Sequence, residues 1–141
     1  CMPDRAYFGL KDAQQYLIID KMVRDLNMNV EIIPMQTVRE ADGLAMSSRN
    51  VYLTDEERKA APLIQKGLTK ALKMYENGET DAKKVKAAIS DTIAESQLFK
   101  LDYLEAVSKE TLCPVEGILP GTLIAVAAYL GKARLIDNII L

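Results

Sequence analysis

Leu123 to Leu130 is an almost unbroken apolar run of eight residues, and Gly131-Lys132 follows it directly. A membrane span needs about 20 such residues, so this run is too short to cross a bilayer. It suits the central strand of a sheet. Gly at the first position of a two-residue loop suits a type II′ turn, which joins antiparallel strands. Ala133 to Ile140 then reads as the returning strand, and Leu101 to Val107 as a third. The chain must therefore cover a small antiparallel sheet with what precedes it.

Helical spacing dominates the stretch before that sheet. Thr54 and Glu57 form a capping-box pattern, in which each residue bonds the other's backbone N–H. Pro62 either kinks this element or begins a new helix. Ile64, Gly67, Leu68, Ala71, Leu72 and Tyr75 form an inward stripe that Asn77-Gly78 ends. Asp81 is placed to cap a further helix with Val85, Ala88, Ile89 and Ile93 inside. Helices followed by an antiparallel sheet give an α+β arrangement.

The N-terminal third follows another pattern. Tyr7-Phe8-Gly9 reads as the end of a strand. Asp12 with Gln15 again fits a capping box, and Tyr16, Ile19, Met22, Val23 and Leu26 recur at helical spacing. Val30 to Ile33 reads as a second strand. Strand, helix and strand over about 30 residues make one βαβ unit with parallel strands. One unit cannot cover both faces of such a sheet. Together with the Cys1-Met2-Pro3 start, this predicts a piece of a longer protein. Residues 36–53 are polar and aperiodic, which predicts a loop of about 15 residues with a functional or mobile character.

Composition excludes several chemistries. The chain has no histidine, so imidazole acid/base catalysis, imidazole metal ligation and Ser-His-Asp triads are ruled out for these residues alone. Residues 1–70 carry ten basic and ten acidic side chains, and the rest eight and ten. Neither half has the charge that would draw nucleic acid. Cys1 and Cys113 form no metal-binding or disulfide pattern. With neither a membrane span nor a signal peptide visible, a reducing cytoplasm is the expected compartment.

Two polar segments lack an obvious packing role. In Gly9-Leu10-Lys11-Asp12, with Gln14 and Gln15, a strand ends and a helix begins, where open α/β sheets bind ligands. Lys11 suits a phosphate as a point charge, and Asp12 suits Mg²⁺ as an oxygen ligand. The same residues also read as a helix cap and solvated surface. In Met46-Ser47-Ser48-Arg49-Asn50, hydroxyls and a guanidinium suit a polyphosphate, yet serines and Asn50 equally make local turns. Each segment leaves both readings open.

The segments taken together resemble one family. Pro3-Asp4-Arg5-Ala6-Tyr7-Phe8-Gly9-Leu10-Lys11-Asp12-Ala13-Gln14-Gln15, then Thr37-Val38-Arg39-Glu40-Ala41-Asp42-Gly43-Leu44-Ala45-Met46-Ser47-Ser48-Arg49-Asn50, closely resemble the pantoate–β-alanine ligases (pantothenate synthetases). Gly131-Lys132-Ala133-Arg134-Leu135-Ile136-Asp137-Asn138 is similar to their C-terminal hairpin. The resemblance implies an α/β chain comprising the last βαβ unit of a Rossmann-like nucleotidyltransferase domain, residues 1–45. A small α+β lid domain with an antiparallel sheet and flanking helices, residues 46–141, would follow. It implies an ATP- and Mg²⁺-dependent ligase that joins pantoate to β-alanine through pantoyl adenylate. Full-length members are typically homodimers, and neither nucleic acid nor membrane is implied as a partner.

Position by position, the resemblance implies that Gly9, Leu10, Lys11 and Asp12 contact ATP, with Asp12 at the metal. Leu10 stands where the family usually has Glu. Val38 would line the adenine pocket and Gln15 would hold pantoate. Met46, Ser47, Ser48 and Arg49 would form the mobile signature loop over the phosphates, with Ser47, Ser48 and Arg49 carrying catalysis. The family also has an N-terminal half with a His-containing motif that is absent from these residues, so the chain alone is expected to be inactive. Two alternatives remain. One is a non-catalytic binding or oligomerisation module built on residues 54–141. The other is a different adenylyltransferase of the same superfamily, against which Gln14-Gln15 and Asp42-Gly43 speak through resemblance.

Overall fold

The structure, a computed structural model, describes residues 1–141. Nine regular elements follow one another: β1 (Arg5–Gly9), α1 (Ala13–Asp25), β2 (Glu31–Met35), α2 (Asp55–Ala60), α3 (Leu63–Glu76), α4 (Ala82–Ile93), β3 (Phe99–Ser108), β4 (Thr122–Leu130) and β5 (Ala133–Ile140). Short 3₁₀ turns occupy Leu10–Asp12 and Ser48–Tyr52. The strands form two separate sheets. β1 and β2 pair in parallel, from Arg5 opposite Glu31 to Gly9 opposite Met35. β3, β4 and β5 form an antiparallel sheet with β4 in the centre.

β4 explains its own composition. Ile124, Val126, Ala128 and Leu130 belong to the main core, together with Ile64 and Leu68 of α3 and Val85 and Ile89 of α4. Leu123 and Ala125 belong to a second cluster with Ala13 of α1, and Leu17 packs against it. Successive side chains of a strand point to opposite faces. One face of β4 is therefore covered by α3 and α4, and the other by α1 around Leu123 and Ala125, while Tyr129 near its end is exposed. A strand covered twice has no polar alternation.

Local signals account for the element boundaries. Thr54 and Glu57 make the full capping box at the start of α2. Pro62 begins a new helix and is the N-cap residue of α3. Asp81 caps α4, accepting from the Lys83 and Lys84 amides at 2.8 and 3.3 Å. Gly67 lets α3 approach α4, because a Cβ built there lies 3.2 Å from Ile89 Cγ2. In the β4–β5 hairpin Gly131 has φ +56°, and Lys132 is not among the positive-φ residues. That is the type II′ pattern and not type I′, which needs two positive φ values.

Three expectations need correction. Asp12 and Gln15 make half a capping box: the Asp12 carboxylate accepts from the Gln15 amide at 3.2 Å, with no return bond from the Gln15 side chain. The expected helical stripe of α1 is only partly covered. Val23 is buried, while Met22 and Leu26 are exposed, because the sheet α1 packs against has only two strands, β1 and β2, to cover it. Residues 36–53 are less loose than their composition predicts. Arg39 and Ala45 form an antiparallel bridge, and Leu44 and Ala45 are buried.

Candidate functional site

The first polar segment lies where β1 gives way to α1. Gly9 ends the strand with φ −70°, which any residue adopts, and a Cβ built there would meet nothing within 4 Å. Its glycine identity is therefore not required by this chain's own packing. The Leu10 and Lys11 carbonyls point toward β5, where the Asn138 side-chain amide donates to them at 2.8 and 2.9 Å. Asp12 is exposed. One of its carboxylate oxygens caps α1.

The second segment is a folded loop. The Glu40 amide donates to the Leu44 carbonyl at 2.8 Å, and the Met46 amide to the Val38 carbonyl at 2.9 Å. Val38 and Met46 are thereby held side by side, and both are exposed. Gly43 makes the tight turn at φ +91°, and Asp42 accepts from the Leu44 amide at 3.2 Å. The Asp42 carboxylate also binds Arg58 of α2, and that hydrogen bond holds it below the usual carboxylate range. Ser47 Oγ accepts from the Arg49 amide at 3.3 Å, closing the 3₁₀ turn. Asn50 donates to the Ala45 carbonyl at 3.3 Å, while its own Oδ1 is buried without a partner.

The fold brings the two segments together. Lys11 and Ser47 line one recess with Asp137. The Lys11 ammonium is pushed below its usual range, first by burial and then by the nearby Arg49 guanidinium, against the opposing pull of Asp137 and Asp12. Lys11 is half-buried in this recess, while Arg49 is exposed outside it. Beside this recess opens a cleft of about 410 Å³ bordered by Leu10, Thr37, Arg39, Gln65 and Asn138. Asp12, Gln15, Val38, Met46, Ser48 and Arg49 are exposed and line neither space. No cluster of three carboxylates or cysteines could hold a metal unaided. Asp12 offers one carboxylate oxygen that the α1 cap does not use. That fits Mg²⁺, which commonly takes one or two carboxylates together with substrate phosphates.

Sequence reasoning assigned no role to an ion pair at the centre of this region. Arg39 grips Asp137 with two nitrogens, at 2.6 and 3.0 Å, and donates to the Gly43 carbonyl at 3.0 Å. Asp137 is 4% exposed. A signal was present: Ala133, Leu135 and Asp137 are the alternate, inward positions of β5. A charge in such a series demands a partner.

A family model described as pantoate-beta-alanine ligase matches residues 1–140. The chain belongs to this family. The pantothenate synthetases of Thermotoga neapolitana and Fervidobacterium nodosum are 56% and 55% identical to it over 139 residues, covering 99% of this chain. The chain spans about half the length of these curated relatives, 50% and 49% respectively. Among solved structures, a Thermus thermophilus pantothenate synthetase matches with a TM-score of 0.91 at 42% identity, over 97% of this chain and 49% of that one. The Francisella tularensis pantoate-beta-alanine ligase, solved with a β,γ-ATP compound and β-alanine, matches with a TM-score of 0.60 at 28% identity. It covers 97% of this chain and 43% of that one. The fold is thus that of part of a pantothenate synthetase: a parallel strand pair and an antiparallel three-stranded sheet with helices.

Proposed function

We propose that these residues supply the ATP-handling part of a ligase that condenses pantoate with β-alanine through pantoyl adenylate. The meeting of Lys11 and Ser47 in one recess, with Arg49 in the short turn that Ser47 caps, carries this reading. Residues 1–45 would belong to a Rossmann-like nucleotide-binding domain, and residues 46–141 to a lid. Val38 and Met46 would flank the adenine, Gly9, with open space where a Cβ would stand, and Leu10 would contact the nucleotide, and Gln15 would bind pantoate. Lys11, Ser47, Ser48 and Arg49 would hold the phosphates. Mg²⁺, held by Asp12 and the phosphates, would neutralise triphosphate charge.

The chemistry asks for positioning and charge stabilisation. A pantoate carboxylate oxygen attacks the α-phosphorus, and the bond to the β-phosphate breaks as pyrophosphate leaves. Negative charge builds on that leaving group, where Arg49 and the serines would sit. The β-alanine nitrogen then attacks the acyl carbon, the amide forms, AMP departs and the amine releases a proton. Burial that depresses the Lys11 ammonium also removes competing water, so a phosphate gains more from it than from an exposed lysine. The 141 residues alone would not complete this cycle. The full-length enzyme would be a cytoplasmic homodimer.

Rapid-quench kinetics of a full-length protein carrying this sequence test the reading. Arg49→Ala, or Ser47→Ala with Ser48→Ala, should slow adenylate formation by about 10²-fold, the scale of one lost charge-stabilising group, while leaving pantoate binding nearly unchanged. Normal adenylation in both variants would refute the assignment.

A further inference from the structure

β5 touches both nucleotide segments through two consecutive residues. Asp137 receives the Arg39 fork at 2.6 and 3.0 Å, and Arg39 in turn holds the Gly43 carbonyl at 3.0 Å. Asn138, the next residue, donates from one amide nitrogen to the carbonyls of Leu10 and Lys11 at 2.8 and 2.9 Å. The Asn138 backbone amide also donates to Asp137 Oδ1 at 2.9 Å, which links the two grips. Their side chains leave β5 on opposite faces, as consecutive strand residues must. One therefore reaches the 39–45 loop, and the other reaches the 10–11 turn.

We infer that Asp137 and Asn138 are positioning residues for nucleotide binding, holding the Lys11 segment and the Val38–Met46 loop in one register. The inference rests on the ATP-handling reading above. Neither residue needs to touch the nucleotide. Asn138 orients the backbone that carries Lys11. The Arg39–Asp137 pair fixes the loop whose outer edge carries Val38 and Met46. The two grips come from one strand, β5, which is anchored to the central strand β4 from Leu123 opposite Ile140 to Leu130 opposite Ala133. The rigid sheet thus sets the distance between two segments that are 27 residues apart at Lys11 and Val38. Gln15 lies beyond these contacts, a turn into α1, so pantoate binding should depend on them far less.

The test is steady-state kinetics of pyrophosphate release in the full-length enzyme, comparing wild type with Asn138→Ala, Asn138→Ser and Arg39→Lys. Arg39→Lys keeps the charge but loses the two-pronged grip. The expected result is a rise in the KM for ATP of roughly 10- to 100-fold for Asn138→Ala, the scale of a displaced binding group. Arg39→Lys should give a smaller rise, and the KM for pantoate should stay within about threefold. Equal changes in both KM values, or no change in either, would overturn the positioning role. If Asn138→Ala fails to fold, as judged by its urea midpoint, Asn138→Ser and Arg39→Lys decide by the same split. A wild-type enzyme that releases no pyrophosphate from ATP would overturn the ATP-handling reading itself, and the positioning role with it.

Discussion

Replacing Arg39 with Met removes the partner of a buried carboxylate while keeping an unbranched stem of similar bulk. Asp137 would lose both guanidinium bonds and keep one bond, from the Asn138 amide at 2.9 Å. Breaking a buried pair typically costs 3–5 kcal/mol, because the surviving charge is stranded. Asp137 is buried, but the Arg39 side chain is 29% exposed, so water can reach part of the vacated site. The lower end, about 3 kcal/mol, is therefore expected. Unfolding entropy near 2.1 cal/mol/K per residue gives about 0.3 kcal/mol/K for a chain of this length. The melting temperature should fall by about 10 °C. Calorimetry with matched urea titrations at pH 7 measures this. A companion variant, Arg39→Met with Asp137→Leu, should recover most of the loss, since an apolar replacement of both partners is often neutral. A fall below about 3 °C for the single variant, or no recovery in the double, would refute the view that the pair is buried and obligatory.

Gly67→Val should destabilise the chain by about 1–3 kcal/mol through overpacking, since even a bare Cβ there meets Ile89 backbone atoms at 3.3 and 3.4 Å; an unchanged urea midpoint would contradict this contact. Thr54→Ala removes half of a complete capping box and should cost about 1 kcal/mol, read in the same titration. Lys11 should titrate below the ordinary lysine value of 10.5, because burial and Arg49 disfavour its charged form. Between the lowered folded pKa and 10.5 the unfolded chain holds more protons, so this group makes stability rise with pH through that window. Carbon-detected NMR of the lysine side chains checks the shift, and Arg49→Ala should bring it part of the way back.

Much of the fold was legible in local chemistry. The β4–β5 hairpin follows from one apolar run and a glycine, both of which act within a few residues. Thr54, Pro62, Asn77-Gly78 and Asp81 mark helix ends because capping and φ restriction are also local. The two candidate segments were visible as polar stretches without an obvious packing role, and the family resemblance joined them. Less visible was the order within residues 36–53. Its bridge between Arg39 and Ala45 depends on an anchor nearly a hundred residues away, and no periodicity within the loop records that.

The kinds of element and several of their ends can be read from the residue order, because they depend on composition and on neighbours a few positions apart. Why β4 is apolar throughout could be learned only from the folded molecule, since the answer lies in α1 on one face and α3 with α4 on the other. Folding also brought Lys11 and Ser47 together beside a buried carboxylate, Asp137. Residues far apart in the chain meet only where packing closes the distance. The low dielectric of that enclosed place strengthens the grip of Asp137, an inward residue on a late strand, on the 39–45 loop, while Asn138 beside it holds the Leu10–Lys11 turn.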